Sequence, residues 1–204
     1  MRWLRRHWLR LLAHIGALIP LGQLLWDAYG NDLTANPIQE ITFRTGKTAL
    51  VLLILSLACT PANTLLGLRQ AIPLRRPLGL YAFFYAFLHL LIFAVLDYGL
   101  DVSLIWQTVL EKRYVVAGFS AFVLLLPLAV TSTAGWQRRL GKRWRKLHRL
   151  VYAAAALAIL HFVWLVKADR SEPLTYGAIL ALLLALRLPA IRRTATRLRY
   201  RYTR

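Results

Sequence analysis

Residues 78–98 read LGLYAFFYAFLHLLIFAVLDY, an apolar run in which the first charged side chain is Asp97. A helix rises about 1.5 Å per residue, so roughly 20 such residues match the hydrocarbon thickness of a bilayer. A soluble helix of that length would turn a polar face to water. This stretch carries tyrosines and one histidine, His89, instead.

Working outward, five more stretches have the same character: residues 8–26, 47–68, 114–132, 148–167 and 173–191. The pattern predicts an all-α membrane protein, a six-transmembrane-helix bundle that forms one domain over residues 1–204. The start, Met1–Gly16, is charged and then apolar like a signal peptide, but no small-residue cleavage site closes a short apolar core. It reads as a retained first helix. No connection is long enough to fold separately, and no internal repeat is legible.

The chain is 58% hydrophobic yet carries a formal charge of +19. Its basic residues fall in short clusters between apolar runs rather than along one surface, which argues against nucleic acid as a partner. Arg2, Arg5 and Arg6 precede the first span, and Arg10 stands at its start. Arg69, Arg75 and Arg76 fill the second loop, Arg138 to Lys146 the fourth, and Arg192 to Arg204 the tail. The other three connections mix signs. By the positive-inside rule, both termini and the basic loops are expected on the cytoplasmic side. The tryptophans fall mostly near the ends of spans, as interfacial anchors do.

Cys59 is the only cysteine, so no intramolecular disulfide and no CxxC metal or haem-attachment motif is possible. Cys59-Thr60-Pro61 predicts a bend in the second span, because proline removes a backbone donor. Cys59 is not read as catalytic, and no catalytic residue is singled out elsewhere.

Ionisable residues within a bilayer are costly and mark function. His89 in the third span and His161 in the fifth are expected at middle-to-outer depth, where two neutral imidazoles on facing helices can ligate one haem iron. An interhelical hydrogen bond is the alternative for each. His148 begins the fifth span, thirteen residues before His161. That separation is about 20 Å of rise and about 140° of rotation, so the two share a stripe only if the helix is bent or irregular at its start. His14 reads as a hydrogen-bonding residue between helices, and His7 as interfacial. Arg75 and Arg76 are candidates for propionate or quinone contacts, or plain positive-inside residues.

Arg75-Arg76-Pro77-Leu78-Gly79-Leu80, Tyr85-Ala86-Phe87-Leu88-His89, and Leu140-Gly141-Lys142-Arg143-Trp144-Arg145-Lys146-Leu147-His148-Arg149-Leu150 with Tyr152 and His161 together resemble the haem-binding membrane subunit of the periplasmic methionine sulfoxide reductase system, the MsrQ (YedZ) family. The likeness runs over essentially the whole chain. It implies a multi-pass protein of the bacterial inner membrane carrying b-type haem, one or two per chain, with roles for His89, His148 and His161 as ligands. Larger ferric-reductase-like relatives have two histidines in each of two helices. Here Arg76 and Arg75 stand thirteen and fourteen residues before His89, so a second haem would need His148 with a different partner.

The resemblance also implies a membrane quinol as donor, an associated flavin mononucleotide (FMN) that no residue locates, and a heterodimeric partner, a periplasmic molybdopterin-containing catalytic subunit. The chain has no glycine-rich dinucleotide fingerprint, which fits electrons arriving from elsewhere. Two other functions compete: a self-contained ferric-chelate reductase, and a non-redox transporter or scaffold. The latter is disfavoured by the lack of an inverted repeat and of an acidic residue deep in a span.

Overall fold

The computed structural model describes residues 2–188, with side chains from Trp8 onward. Helices follow one another without a strand among these residues: α1 (Arg2–Gly30), α2 (Pro37–Leu66), a 3₁₀ segment (Arg69–Leu74), α3 (Arg75–Ile92) continuing as a π-helical turn (Phe93–Asp97), α4 (Val102–Glu111), α5 (Arg113–Val130), α6 (Ala134–Leu140), α7 (Lys142–Leu147), α8 (Leu150–Leu165) and α9 (Ser171–Ala185). Among the described residues five segments are long and apolar enough to cross a membrane: Trp8–Gly30, Pro37–Leu66, Arg69–Asp97, Arg113–Val130 and Lys142–Leu165. The expected sixth is a 15-residue helix, Ser171–Ala185. That is about 22 Å of rise, short of a hydrocarbon core of about 30 Å. The last residues of the expected span 173–191, like the arginine-rich tail, lie outside the described residues.

Two ends of the bundle differ in chemistry. At one, the mixed-charge end, lie the α1–α2 turn, α4 and the α8–α9 turn; at the other, the basic end, lie the 3₁₀ segment, α6 and α7. The mixed-charge end is more helical than the sequence suggests. Asn36 caps α2 by accepting from the Gln39 amide at 3.2 Å, with Pro37 in the first turn, which is where proline costs no hydrogen bond. Glu40, Arg44 and Lys47, expected in a loop, are therefore helical. Arg44 pairs with Asp27 at 2.5 Å and Glu40 at 3.1 Å, and Lys47 with Glu172 at 2.5 Å. Helix α4 also stands where a loop was expected, capped by Asp101 on the Leu104 amide. Val102, Trp106 and Leu110 form an exposed apolar stripe along it. At the other end of α2, the helix continues through Pro61 to Gly67, whose positive φ of 73° closes it.

The core is built from two helix pairs, α2 along α3 and α5 along α8, which meet through α3–α5 and α2–α8 contacts. Ala82, Ala154 and Ala155 are fully buried there with Leu53 and Leu57. Small side chains let helices approach closely where lipid gives no hydrophobic drive.

One phenol of this core bonds into the backbone of helix α1. Pro20 lies inside α1 and cannot donate to the ladder. Beside it, the Tyr85 hydroxyl donates to the Ala17 carbonyl at 2.7 Å and accepts from the Leu21 amide at 3.1 Å. A regular helix would pair these two groups with each other, so Tyr85 reaches from α3 into the α1 ladder next to the proline. Tyr85→Phe is expected to cost about 1 kcal/mol, measured as a lower unfolding midpoint of the detergent-solubilised chain. Tyr29→Phe, at a residue 90% exposed, should leave the midpoint unchanged.

Candidate functional site

His89 lies on α3, three residues before that helix passes into the π turn, and His161 lies on α8, four residues before its end. Both lie toward the mixed-charge end, with the π turn carrying the His89 helix on to Asp97. π-helical turns occur disproportionately at functional sites.

Each ring is fixed by a neighbouring helix backbone. His89 Nδ1 is 2.8 Å from the Thr42 carbonyl of α2, and His161 Nδ1 is 2.6 Å from the Tyr114 carbonyl of α5. A carbonyl only accepts, so each imidazole carries its proton on Nδ1 and keeps the Nε2 lone pair. The two ring centroids are 6.0 Å apart, with planes at 83°. No hydrogen bond to either Nε2 is formed among the described residues.

The two units are copies of one another. A shift of 72 residues carries Thr42 onto Tyr114, Gly46 onto Gly118 and His89 onto His161. The same shift matches Leu53 with Leu125, Ala82 with Ala154, Ala86 with Ala158 and Leu88 with Leu160. The α2–α3 and α5–α8 pairs therefore carry the same carbonyl–Gly–His arrangement at positions 72 residues apart.

The donor set points to one kind of metal centre. Among the described residues no group of three or more His, Cys, Asp or Glu side chains could hold an ion. Two imidazoles with free Nε2 atoms instead suit an iron whose other ligands come with a macrocycle. The residues present therefore fit haem, with His89 and His161 as the holding pair.

His148 is not brought to this pair. It caps α7 at the basic end, where the chain breaks before α8 begins at Leu150. Its Nε2 is 3.1 Å from Thr131 Oγ, whose hydroxyl donates to the Pro127 carbonyl at 2.6 Å. The ring stacks on Trp144 at 3.9 Å, and Trp144 Nε1 donates to the Thr131 carbonyl at 2.9 Å. Trp144 is thus a packing partner rather than an interfacial anchor.

Arg75 and Arg76 start α3 at the same end, exposed, with the Arg75 carbonyl accepting from Ser56 at 2.8 Å. Arg187, which the sequence reading passed over, is the partly buried cation there. It donates to Tyr152 Oη at 2.7 Å and to the Leu57 carbonyl at 2.5 Å. His14 hydrogen-bonds Tyr81 across α1 and α3 at 3.0 Å, the role expected of it. The His7 side chain lies outside those described.

A family model described as "Ferric reductase like transmembrane component" matches residues 45–159, which include Gly46, His89 and Gly118 and end two residues before His161. Relatives named protein-methionine-sulfoxide reductase heme-binding subunit MsrQ match nearly the whole chain. The one from Rhodospirillum rubrum is 49% identical, covering 90% of this chain and 89% of the relative. That from Deinococcus radiodurans is 50% identical over 86% and 87%, and that from Xanthomonas axonopodis pv. citri 47% identical over 87% and 84%. The chain belongs to the MsrQ family. The ferric-reductase-like match places it in a transmembrane family. No solved structure matches it.

The geometry fixes the tautomers. In metal-free protein with ¹⁵N-labelled histidine, solid-state NMR is expected to show His89 and His161 protonated at Nδ1 and bare at Nε2. His89→Ala and His161→Ala should each delete one such set of signals.

Proposed function

We propose that this chain is the b-haem membrane subunit that conducts electrons from a membrane quinol to a periplasmic, molybdopterin-containing methionine sulfoxide reductase. The observation that carries the proposal is the His89–His161 pair, each ring anchored through Nδ1 with Nε2 free. Haem, when bound, supplies a one-electron carrier between a two-electron donor and a protein acceptor. The chain's own residues do the rest. Thr42 and Tyr114 hold the imidazoles in one tautomer, which keeps both Nε2 atoms available. Phe162, buried beside His161, keeps water from the helix interior and lowers the local dielectric.

In this reading the protein sits in a bacterial inner membrane as a six-span bundle of one domain. Both termini are cytoplasmic and the mixed-charge end is periplasmic. The partner then docks near α4 and the α8–α9 turn, close to the histidine pair. The basic end faces the cytoplasm, and His148 with Arg75 and Arg76 makes it the place for a further cofactor, a second haem or FMN. The description of the matching family favours one second reading, a self-contained reductase of ferric chelates at the outer face.

The reduced-minus-oxidised spectrum of detergent-purified protein, with haem counted per chain, tests the ligand pair. A b-type band is expected in wild type, lost in His89→Ala and in His161→Ala, and retained in His148→Ala. Protein without haem after expression with ample supply, or variants with an unaltered band, would overturn the reading. Ferric-chelate turnover by the isolated chain would favour the second one, and turnover only with a molybdoenzyme the first.

A further inference from the structure

The ligand reading accounts for His89 and His161, but a glycine faces each of them and needs its own explanation. Gly46 lies one helical turn after Thr42, and Gly118 one turn after Tyr114. Neither has a positive φ; among the described glycines only Gly67, Gly99 and Gly141 do. The backbone therefore does not demand glycine at either place, and alanine would favour the helix by about 1 kcal/mol.

The space does demand it. A Cβ on Gly46 would stand 2.9 Å from His89 Nδ1 and 3.0 Å from its Cε1. A Cβ on Gly118 would stand 2.7 Å from His161 Nδ1 and 3.0 Å from its Cε1. Neither ring can retreat and keep its bond, because the atom that meets the Cβ is the one that donates to the carbonyl. The missing side chain lets the imidazole lie on the helix backbone and reach a carbonyl one turn earlier. The same device occurs twice, at positions related by the 72-residue shift.

We infer that Gly46 and Gly118 are positioning residues for the two haem-ligating imidazoles, each making the gap through which a backbone carbonyl orients the ligand. The inference rests on the ligand reading above. Losing such an orienting contact is worth about ten- to a hundred-fold in metal affinity. Gly118 is the more demanding of the two, its contact being shorter.

The test uses the full chain in detergent with Gly46→Ala, Gly118→Ala and, as control, Gly16→Ala, where a Cβ meets nothing within 4 Å. Haem affinity, the low-spin EPR signal and the midpoint potential are measured for each, with histidine ¹⁵N spectra of the metal-free forms. The inference expects the control to match wild type, and both site variants to lose about ten-fold or more in affinity. The surviving haem should have a shifted EPR signal and potential, and the Nδ1–H signal of the facing histidine should move. Unchanged affinity, EPR signal and potential in both site variants would overturn it, even with the ligand pair confirmed.

Failure of the ligand pair itself appears separately, as wild type without haem or His→Ala variants that keep it. If a site variant does not fold, Gly118→Ala/His161→Ala and Gly46→Ala/His89→Ala decide. Recovery of monodisperse protein on removing the ring supports the inference, since the added methyl then acts through the histidine. Continued aggregation of the double variants overturns it.

Discussion

A histidine inside a bilayer has two nitrogens and no water to satisfy them, so its usefulness depends on which nitrogen the protein occupies. Here a helical carbonyl on each side takes Nδ1–H, at 2.8 Å from Thr42 and 2.6 Å from Tyr114. The rest of the arrangement follows from that bond. It requires a helix lying flush against the ring, hence glycine on the facing surface. It requires α2 to run alongside α3, and α5 alongside α8, for the turns that bring carbonyl and histidine level. The fully buried alanines Ala82 and Ala154 sit at matching positions of the two histidine-bearing helices, so the pairs close on one another with the two imidazole centroids 6.0 Å apart.

Hydropathy and charge made most of the architecture legible, because a bilayer requires long apolar segments and sorts the arginines between its sides. The mixed-charge end was misread for the same reason. Charges ended the apolar runs near Lys47 and after Asp97, whereas Arg44 and Lys47 pair with Asp27 and Glu172 and α2 is helical from Pro37 onward. The helix α4 carries a capping aspartate that hydropathy does not weigh. The His89–His161 pair was readable because ionisable residues are rare in spans. Gly46 and Gly118 were not, since glycine in an apolar run has many causes. Only the 72-residue register, scattered over a few identities per helix, singles them out.

The 72-residue register also changes how the basic end is understood. The shift that carries His89 onto His161 carries Arg76 onto His148. At the mixed-charge end both copies keep the same Gly–carbonyl–His unit; at the basic end they have diverged. One copy offers an exposed guanidinium at the start of α3. The other offers an imidazole stacked on Trp144 and hydrogen-bonded to Thr131.

That divergence bears on what each end can do. Two imidazoles with ring centroids 6.0 Å apart and bare Nε2 atoms are the kind of pair that could hold a metal from both sides. A fixed cation opposite an imidazole already bonded to a hydroxyl does not offer two lone pairs; it offers a positive charge and a ring. Arg187 strengthens the contrast. Its guanidinium is partly buried among Tyr152 and the Leu57 carbonyl, and none of the described salt bridges involves it or Arg75. A site made of guanidinium groups, a tyrosine and one engaged imidazole has chemistry suited to an anionic group rather than to bis-histidine iron. The two helix pairs thus carry unlike chemistry at opposite ends of one bundle, imidazoles with bare Nε2 atoms at the mixed-charge end and guanidinium groups with an engaged imidazole at the basic one.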